Sequence, residues 1–248
     1  MARLASNKGV ITGGGRGIGR AIALLFAREG ADIAILDRDL PAAEATAADI
    51  RALGRNALAL RVDVGDENEV AEGFRGVARE LGEIDILVNN AGIDTTSRVV
   101  DMPTEMWDEM IRIHLKGAFL CTRAVLPGML RRRRGRIINM SSQLAHKGAA
   151  EMAHYAAAKA ALIGFTRSLA YEVAEHNVTV NAIAPGPVDT ELFRKIPEDW
   201  RTRKLAEIPL HRPATVDEIA PTALLLASEE GGYYLGATLN PNGGDVMV

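Results

Sequence analysis

The stretch TGGGRGIG, residues 12–19, decides the fold because it joins an apolar run, Lys8–Thr12, to a helix-length segment, Gly17–Glu29. Glycine lets a backbone turn sharply and approach a ligand closely, which fits Gly13, Gly17 and Gly19. A pyrophosphate at such a turn meets unpaired N–H groups at the positive end of the helix. The position between strand and helix therefore predicts dinucleotide binding, whereas the plainer interpretation is a flexible loop.

Outward from this turn, short strand-like runs alternate with helix-length stretches, which is typical of βαβ units around a parallel sheet. The predicted strands are Lys8–Thr12, Asp32–Asp37, Ala57–Asp63, Ile84–Asn89, Arg136–Ser141, Val178–Ala184 and Thr238–Asn240. The predicted helices are Gly17–Glu29, Pro41–Leu53, Glu67–Leu81, Thr104–Leu130, Ala153–Glu175 and Thr215–Ser228, with Pro127 expected to kink or end the fourth. The pattern predicts an α/β, Rossmann-type doubly wound fold whose seven-stranded, mostly parallel sheet has helices on both faces.

The chain shows no linker or internal repeat, so we expect residues 1–248 to form a single dinucleotide-binding catalytic domain. The proline-rich stretch at about 187–213 is long for a simple connection and predicts an irregular loop or substrate lid.

Composition and charge argue against several classes of function. A net charge of −3 argues against a polycationic nucleic-acid binder. We expect no targeting segment at the N-terminus, and no apolar run is long enough to span a bilayer. The single Cys121 excludes an internal disulfide and fits the reducing cytoplasm. Five histidines without ligand spacing predict no metal.

The acid that ends the second predicted strand bears on cofactor choice. Asp37 lies near the offset of about 20 residues at which a carboxylate hydrogen-bonds a ribose 2′-hydroxyl. Such an anion would repel the 2′-phosphate of NADP and favours NAD, although Arg16 and Arg38 are nearby cations that leave NADP open. A solvated strand-end aspartate is the alternative.

The segment YAAAK, residues 155–159, places the Tyr155 phenol and the Lys159 ammonium four residues apart on one helix face. A free tyrosine has a pKa of about 10, and a neighbouring cation lowers it towards a useful range. Alone, this spacing is often structural. Ser142 follows a predicted strand end upstream, where its hydroxyl can hydrogen-bond a substrate oxygen.

Taken together, these motifs resemble the short-chain dehydrogenase/reductase family of single-domain enzymes. Besides the glycine turn, the resemblance includes Asp63-Val64, Asn89-Asn90-Ala91-Gly92, the ordered Ser142, Tyr155 and Lys159, Pro185-Gly186 with Thr190, and Asn242-Gly243-Gly244.

The resemblance implies hydride transfer between nicotinamide and a carbinol or carbonyl carbon. Tyr155 would be the acid/base, Lys159 would lower its pKa and hold the nicotinamide ribose, and Ser142 would polarise the substrate oxygen. His114 replaces the family's usual asparagine; it is either a fourth catalytic residue or a buried structural histidine. The expected cofactor contacts are Gly13, Arg16, Gly17, Ile18, Gly19, Asp37, Arg38, Asp63, Val64, Asn90, Ala91, Gly92, Tyr155, Lys159, Pro185, Gly186, Val188 and Thr190.

Substrate selection is expected from side chains that flank the catalytic residues and from the lid. The candidates are Ser142, Gln143, Leu144, Met152, His154, Leu192, Phe193 and Trp200. They suit a small or medium neutral alcohol or ketone, with NAD as cofactor.

Two rival interpretations stay open. One is a 3-oxoacyl-carrier-protein reductase, an enzyme class that usually takes NADPH; the basic run Arg131–Arg134 could dock its acidic carrier, or could simply be a solvated helix end. The other is a non-catalytic nucleotide-binding regulatory protein, which would have no need of an activated phenol. The family also suggests a homotetramer, with no nucleic-acid or membrane partner.

Overall fold

The computed structural model describes residues 2–196 and 198–248. The strands are β1 (Lys8–Thr12), β2 (Asp32–Asp37), β3 (Ala57–Arg61), β4 (Ile86–Asn89), β5 (Gly135–Met140), β6 (Val178–Ile183) and β7 (Thr238–Leu239). The helices are α1 (Gly17–Arg28), α2 (Leu40–Ala52), α3 (Glu67–Glu80), α4 (Thr104–Ile111), α5 (Gly117–Arg132), α6 (Leu144–Lys147), α7 (Ala153–Val173), α8 (Glu191–Arg194), α9 (Glu198–Glu207) and α10 (Val216–Ala227).

All seven strands join one sheet in the order β3-β2-β1-β4-β5-β6-β7, and every pairing is parallel. The chain crosses from β3 at one edge to β4 beside β1, so connections on either side of this point run to opposite faces. A crevice opens there, beyond the carboxyl ends of the strands. The predicted doubly wound fold is confirmed.

The sheet is apolar on both faces because helices cover both. One core packs Ile22 and Phe26 of α1 and Leu224 of α10 against the sheet. The other packs Phe74 of α3 and Leu120 of α5 on the opposite face. Burying each such side chain contributes about 1.5–3 kcal/mol, which holds strand ends and helix starts in fixed relation.

The predicted long helix Thr104–Leu130 differs from the structure in two ways. A π-helical segment, Arg112–Lys116, separates α4 from α5. In addition, α5 does not end at Pro127 but runs on to Arg132. Proline removes one helical hydrogen bond, yet Val125 and Met129 are buried on either side of it, and their packing offsets that loss.

The predicted irregular lid also has more structure than expected. It contains α8 and α9, and the Thr190 hydroxyl caps α8 by accepting a hydrogen bond from the Phe193 N–H at 3.2 Å. The sequence predicts an irregular loop or lid here, whereas the structure has two short helices within it. Pro197 lies outside the described residues.

Candidate active site

One cleft at the crevice between β1 and β4 gathers most of the predicted site residues around a cavity of about 460 Å³. The predicted cofactor and catalytic residues that line it are Gly13, Arg16, Gly17, Ile18, Asp37, Arg38, Asp63, Val64, Asn90, Ala91, Gly92, His114, Ser142, Tyr155, Lys159, Pro185, Gly186, Val188 and Thr190. The predicted substrate residues Gln143, Leu144, Met152, Leu192, Phe193 and Trp200 line it as well.

Two predicted residues do not line the cleft. Gly19 lies behind the turn, where a Cβ would come within 2.3 Å of the Gly13 carbonyl oxygen, so its smallness serves packing. His154 is fully buried, and its Nε2 lies 2.8 Å from the Thr95 hydroxyl. The side chain of His154 therefore ties the start of α7 to the loop after β4 instead of facing substrate.

The glycine turn fits a pyrophosphate. Gly17 has a φ of +53°, in the left-handed region that favours glycine, and a Cβ there would meet no atom nearer than Thr190 at 3.4 Å. Helix α1 begins at Gly17 with no side-chain cap from Arg16, which leaves its first N–H groups to a ligand. Both observations match the turn expected of a dinucleotide site.

Asn90 holds this turn in place. Its side-chain amide donates to the carbonyl oxygens of Thr12 and Gly13, both at 3.0 Å, and its backbone N–H donates to the Thr12 hydroxyl at 3.0 Å. The end of β4 is thereby fastened to the end of β1. Asn90 lines the cleft, but its side chain is engaged in positioning the turn.

Asp37 ends β2 and lines the cleft. Its carboxylate accepts hydrogen bonds from the backbone N–H groups of Gly15 and Asp39, both at 3.0 Å. These bonds fix the carboxylate in the cleft while each oxygen retains a further lone pair. The neighbouring Arg16 pairs with Asp39 and, at 3.2 Å, with Glu191.

Asp63, the predicted adenine contact, is held by an arginine that the sequence analysis did not single out. Arg112, at the start of the π-helical segment, binds both Asp63 carboxylate oxygens at 3.1 and 3.0 Å. Burial acts to raise the pKa of Asp63, but the Arg112 bond and charge hold it below its usual value. Asp63 is therefore an oriented anion at this end of the cleft.

The three predicted catalytic side chains converge at the other end. Lys159 is buried, donates from Nζ to the Met140 carbonyl oxygen at 2.7 Å, and lies 5.5 Å from the centroid of the Tyr155 ring. The Ser142 hydroxyl donates to the Gln143 side-chain oxygen at 2.8 Å. The neighbouring Ser141 donates its hydroxyl to the Lys159 carbonyl oxygen at 2.8 Å and so fastens α7 to β5.

The pKa of Tyr155 shifts in the direction opposite to that expected from its neighbour Lys159. Burial lowers the pKa of Lys159 to about 7, with the charge of Asp94 opposing that shift. Burial, reinforced by Asp94, raises the pKa of Tyr155 above its usual value, and the Ser142 hydroxyl beside it lowers it. Burial is the largest cause of the change in the Tyr155 pKa, and the expected lowering by Lys159 is not among the causes.

His114 sits in the π-helical segment, a local distortion that is frequent at functional sites. Its ring meets the Tyr155 ring edge-on, with centroids 5.5 Å apart and an interplanar angle of 83°. Its Nε2 lies 3.1 Å from the Ile93 backbone nitrogen and 2.9 Å from the Ile93 oxygen. Burial and the Lys159 charge hold the pKa of His114 well below its ordinary value, so the ring is neutral.

Asp94 is a charged cleft residue that sequence reasoning missed. It follows the Asn-Asn-Ala-Gly motif in a loop, and nothing in its spacing distinguishes it from a surface acid. The structure places it in the lining of the cleft near Lys159. Burial raises the pKa of Asp94 to about 6 even though the Lys159 charge lowers it.

Comparisons with known proteins cover almost the whole chain. A protein-family model described as Enoyl-(Acyl carrier protein) reductase matches residues 13–245. The chain is 39% identical over 239 residues to the 3-oxoacyl-[acyl-carrier-protein] reductase FabG of Staphylococcus epidermidis, which covers 96% of this chain and 98% of that protein. It is 40% identical to FabG of Escherichia coli K12, over 96% and 97% of the two chains.

A solved structure supports the same grouping. A short-chain type dehydrogenase/reductase from Mycobacterium marinum superposes with a TM-score of 0.95 at 32% identity, covering 99% of this chain and 97% of that one. The likeness extends through both the glycine turn and the lid.

Proposed function

The chain belongs to the short-chain dehydrogenase/reductase family of oxidoreductases, and we propose that it interconverts a secondary alcohol and a ketone with NAD(H) as cofactor. The observation that carries the proposal is the convergence of Ser142, Tyr155 and Lys159 in the same cleft as an oriented Asp37. A merely nucleotide-binding protein has no use for a phenol and a buried ammonium side by side.

The residues present fit a nicotinamide dinucleotide. The uncapped start of α1 at Gly17 suits the pyrophosphate, Asp37 the adenosine ribose, and Lys159 the ribose next to the nicotinamide. When bound, the cofactor supplies the hydride acceptor for oxidation and the hydride donor for reduction.

Tyr155 and Ser142 act on the oxygen of the substrate and on its proton. In oxidation, Tyr155 takes the proton of the substrate hydroxyl; in reduction it returns that proton to the carbonyl oxygen. Ser142 stabilises the same oxygen by donating a hydrogen bond. Because one hydroxyl proton serves one acceptor at a time, Ser142 must first release the Gln143 oxygen that it binds at 2.8 Å.

Charge at the adenosine end supports NAD over NADP. The carboxylate of Asp37 can accept ribose hydroxyls but faces a 2′-phosphate at close range. Arg16, a cation that could offset that repulsion, is neutralised by Asp39 and Glu191. Arg38 remains beside Asp37 in the cleft lining and is the residue that keeps NADP in competition.

Reduction of 3-oxoacyl-carrier-protein thioesters with NADPH is the second candidate, favoured by the names of relatives at 39–40% identity. The basic run adds little to it, because three of its four arginines have an acidic partner within the chain. Arg131 and Arg132 pair with Glu83 at 2.8 and 3.0 Å, and Arg134 lies 3.9 Å from Asp85. A small-molecule substrate agrees better with this surface.

We also propose a homotetramer in the cytoplasm. Trp107 of α4 and Phe119 of α5 are about two-fifths exposed on neighbouring helices, and Leu235 near the C-terminus is equally so. Exposed apolar side chains on these elements suit contact with further copies of the chain. The lone Cys121 is buried and suits a reducing compartment.

Steady-state kinetics on secondary alcohols and β-ketoacyl thioesters, each with NAD(H) and NADP(H), tests the proposal. We expect kcat/KM with NAD(H) to exceed that with NADP(H) by tenfold or more, about 1.4 kcal/mol. Asp37→Ser should reverse that order, because the phosphate then meets Arg38 without the carboxylate. Asp49→Ser, an exposed acid on α2, is the control.

A wild type that prefers NADPH and a carrier-protein thioester would replace the leading function with the second. A wild type that binds NADH yet reduces and oxidises nothing in the panel would favour the regulatory interpretation. Melting temperatures of both variants confirm that each is folded.

A further inference from the structure

Five acidic residues line the cleft, and four of them are bound by the protein itself. Backbone N–H groups hold Asp37, while arginines hold Asp39, Asp63 and Glu191. The fifth, Asp94, has no hydrogen bond or ion pair with any side chain or backbone group within residues 2–196 and 198–248, and its Oδ1 is buried. A carboxylate oxygen in that condition is costly to keep unless a ligand supplies a donor.

The loop that carries Asp94 is fastened on both sides. Ile93 is hydrogen-bonded through its backbone to Nε2 of His114, whichever ring tautomer is present. Thr95 is bound through its hydroxyl to His154 at 2.8 Å. Asp94 lies between these two ties, so its carboxylate is presented to the cleft at a defined place.

That place is next to the reacting groups. Ile93, the residue before Asp94, is bound to His114, whose ring lies 5.5 Å from the Tyr155 ring, and Asp94 itself lines the cleft. The Asp94 charge accordingly acts on both Tyr155 and Lys159. The histidines packed around the loop, His114 and His154, are kept neutral by burial. The negative charge of Asp94 and the positive charge of Lys159 therefore offset each other. For this reason Asp94 favours a neutral hydrogen-bond donor of the substrate over a substrate ammonium group.

We propose that Asp94 selects the substrate by accepting a hydrogen bond from a second hydroxyl group, so that the substrate is a diol or polyol and the product a hydroxyketone. The proposal rests on the function proposed above. The substrate's reacting carbinol lies against Tyr155 and Ser142, and its second hydroxyl reaches Asp94. A 3-oxoacyl thioester presents only acceptor oxygens beside its ketone, and Asp94 repels such groups.

Matched substrate pairs test this assignment. Two pairs share a carbon skeleton and differ by one hydroxyl: cis-cyclohexane-1,2-diol with cyclohexanol, and butane-2,3-diol with butan-2-ol. The measured quantity is the ratio of kcat/KM within a pair, in which any change in the pKa of Tyr155 that acts on both substrates cancels. The variants are Asp94→Ala, Asp94→Asn and, as the control, Thr96→Ala, an exposed residue of the same loop.

We expect the wild type and Thr96→Ala to prefer the diol by at least tenfold in one pair or both. Asp94→Ala should bring the ratio to about one, and Asp94→Asn, which keeps an acceptor oxygen without the charge, should lie between. A hydrogen bond to a charged group accounts for a tenfold or greater discrimination.

A binding measurement separates this inference from the proposed function. Calorimetry of each ketone and its α-hydroxyketone with the NAD⁺ complex reports affinity without turnover. A wild type that oxidises none of the four alcohols contradicts the proposed function, while a hydroxyl preference in binding that disappears in Asp94→Ala still supports Asp94. A wild type without that preference in either measurement, or an Asp94→Ala variant that keeps it, overturns the inference.

Discussion

The cleft has an adenosine end, which contains Asp37, and a catalytic end, which contains Tyr155 and Lys159. The polar groups at these two ends differ in how fully the protein binds them. At the adenosine end, Asp37 is fixed by two backbone N–H groups and Asn90 makes three hydrogen bonds to the end of β1 and the turn that follows. At the catalytic end, the buried Oδ1 of Asp94 and Nδ1 of His114 have no partner among the described residues. The side chains of the first end are held in place by the protein before a ligand arrives, whereas the second has two buried side-chain atoms that only a ligand can bind.

This difference follows from what each end must bind. The dinucleotide is a constant ligand, so the protein can pre-arrange its donors and acceptors and lose little when it binds. At the catalytic end, side chains of the protein take part in the reaction. Each buried polar atom that is left there without a hydrogen-bond partner costs about 1–3 kcal/mol. Selectivity that derives from such an atom is strong, because a wrong substrate leaves it unsatisfied.

The largest effect is expected at the catalytic end. Tyr155→Phe removes the transferable proton and keeps the ring against His114, so kcat should fall by at least about 10²-fold. NADH affinity, measured by fluorescence titration, should stay within a few-fold of wild type because the adenosine end is untouched. Tyr171→Phe, an exposed tyrosine on the same helix, is the matched control.

Near-normal turnover in Tyr155→Phe would show that another group transfers the proton. If Tyr155→Phe lost NADH binding as well as turnover, the adenosine end and the catalytic end would not be organised separately. That result would contradict the comparison between them.

Sequence reasoning predicted most of the residues that line the adenosine end of the cleft. Strand periodicity located β1 and β2 to the residue, and the glycine turn and Asp37 follow from their ends. These features are local: a turn, a strand end and a helix start are each specified by neighbouring residues. The alternation of strands and helices predicted the doubly wound class, while the order of the strands came from the structure.

The catalytic end could be predicted only in part, because its geometry joins distant segments. Tyr155 and Lys159 share a helix and were found by spacing, but Asp94 approaches them from another loop of the chain. The π-helical segment around His114 has no spacing signal, since it is a distortion inside a continuous helix. The bond of Ser141 to the Lys159 backbone joins two distant segments and likewise required the fold.

A smaller effect is expected in the pH dependence. The Asp94 charge raises the pKa of both Tyr155 and Lys159, so Asp94→Asn should lower both. Alcohol oxidation needs deprotonated Tyr155, and its rate rises as the pH passes that pKa. The rising limb of kcat/KM for cyclohexanol should therefore move to lower pH in Asp94→Asn, with His114 and His154 neutral throughout.

The pH profile of Thr96→Ala should overlay that of the wild type. A limb that stays in place or moves to higher pH in Asp94→Asn would contradict the electrostatic position of Asp94, whatever the substrate ratios show.

The smallest effect should come from His114→Asn, which tests whether the imidazole acts in the chemistry or only holds the loop. Burial keeps the ring neutral, and its observed contacts are the edge of Tyr155 and the backbone of Ile93. Asparagine can still hydrogen-bond the backbone of Ile93. The substitution also leaves the main-chain carbonyl of residue 114 in place, so any contact made by that carbonyl is kept. We expect kcat to fall by less than about tenfold, that is, less than about 1.4 kcal/mol of barrier.

His114→Ala sharpens the test because alanine cannot tie the loop. If the role is positional, alanine should weaken the diol preference more than asparagine does, since Asp94 then loses its support, while the pH profiles of both variants stay like that of the wild type. A loss of kcat beyond tenfold in His114→Asn, together with a missing limb in its pH profile, would instead assign proton transfer to the imidazole and place a second titrating group beside Tyr155.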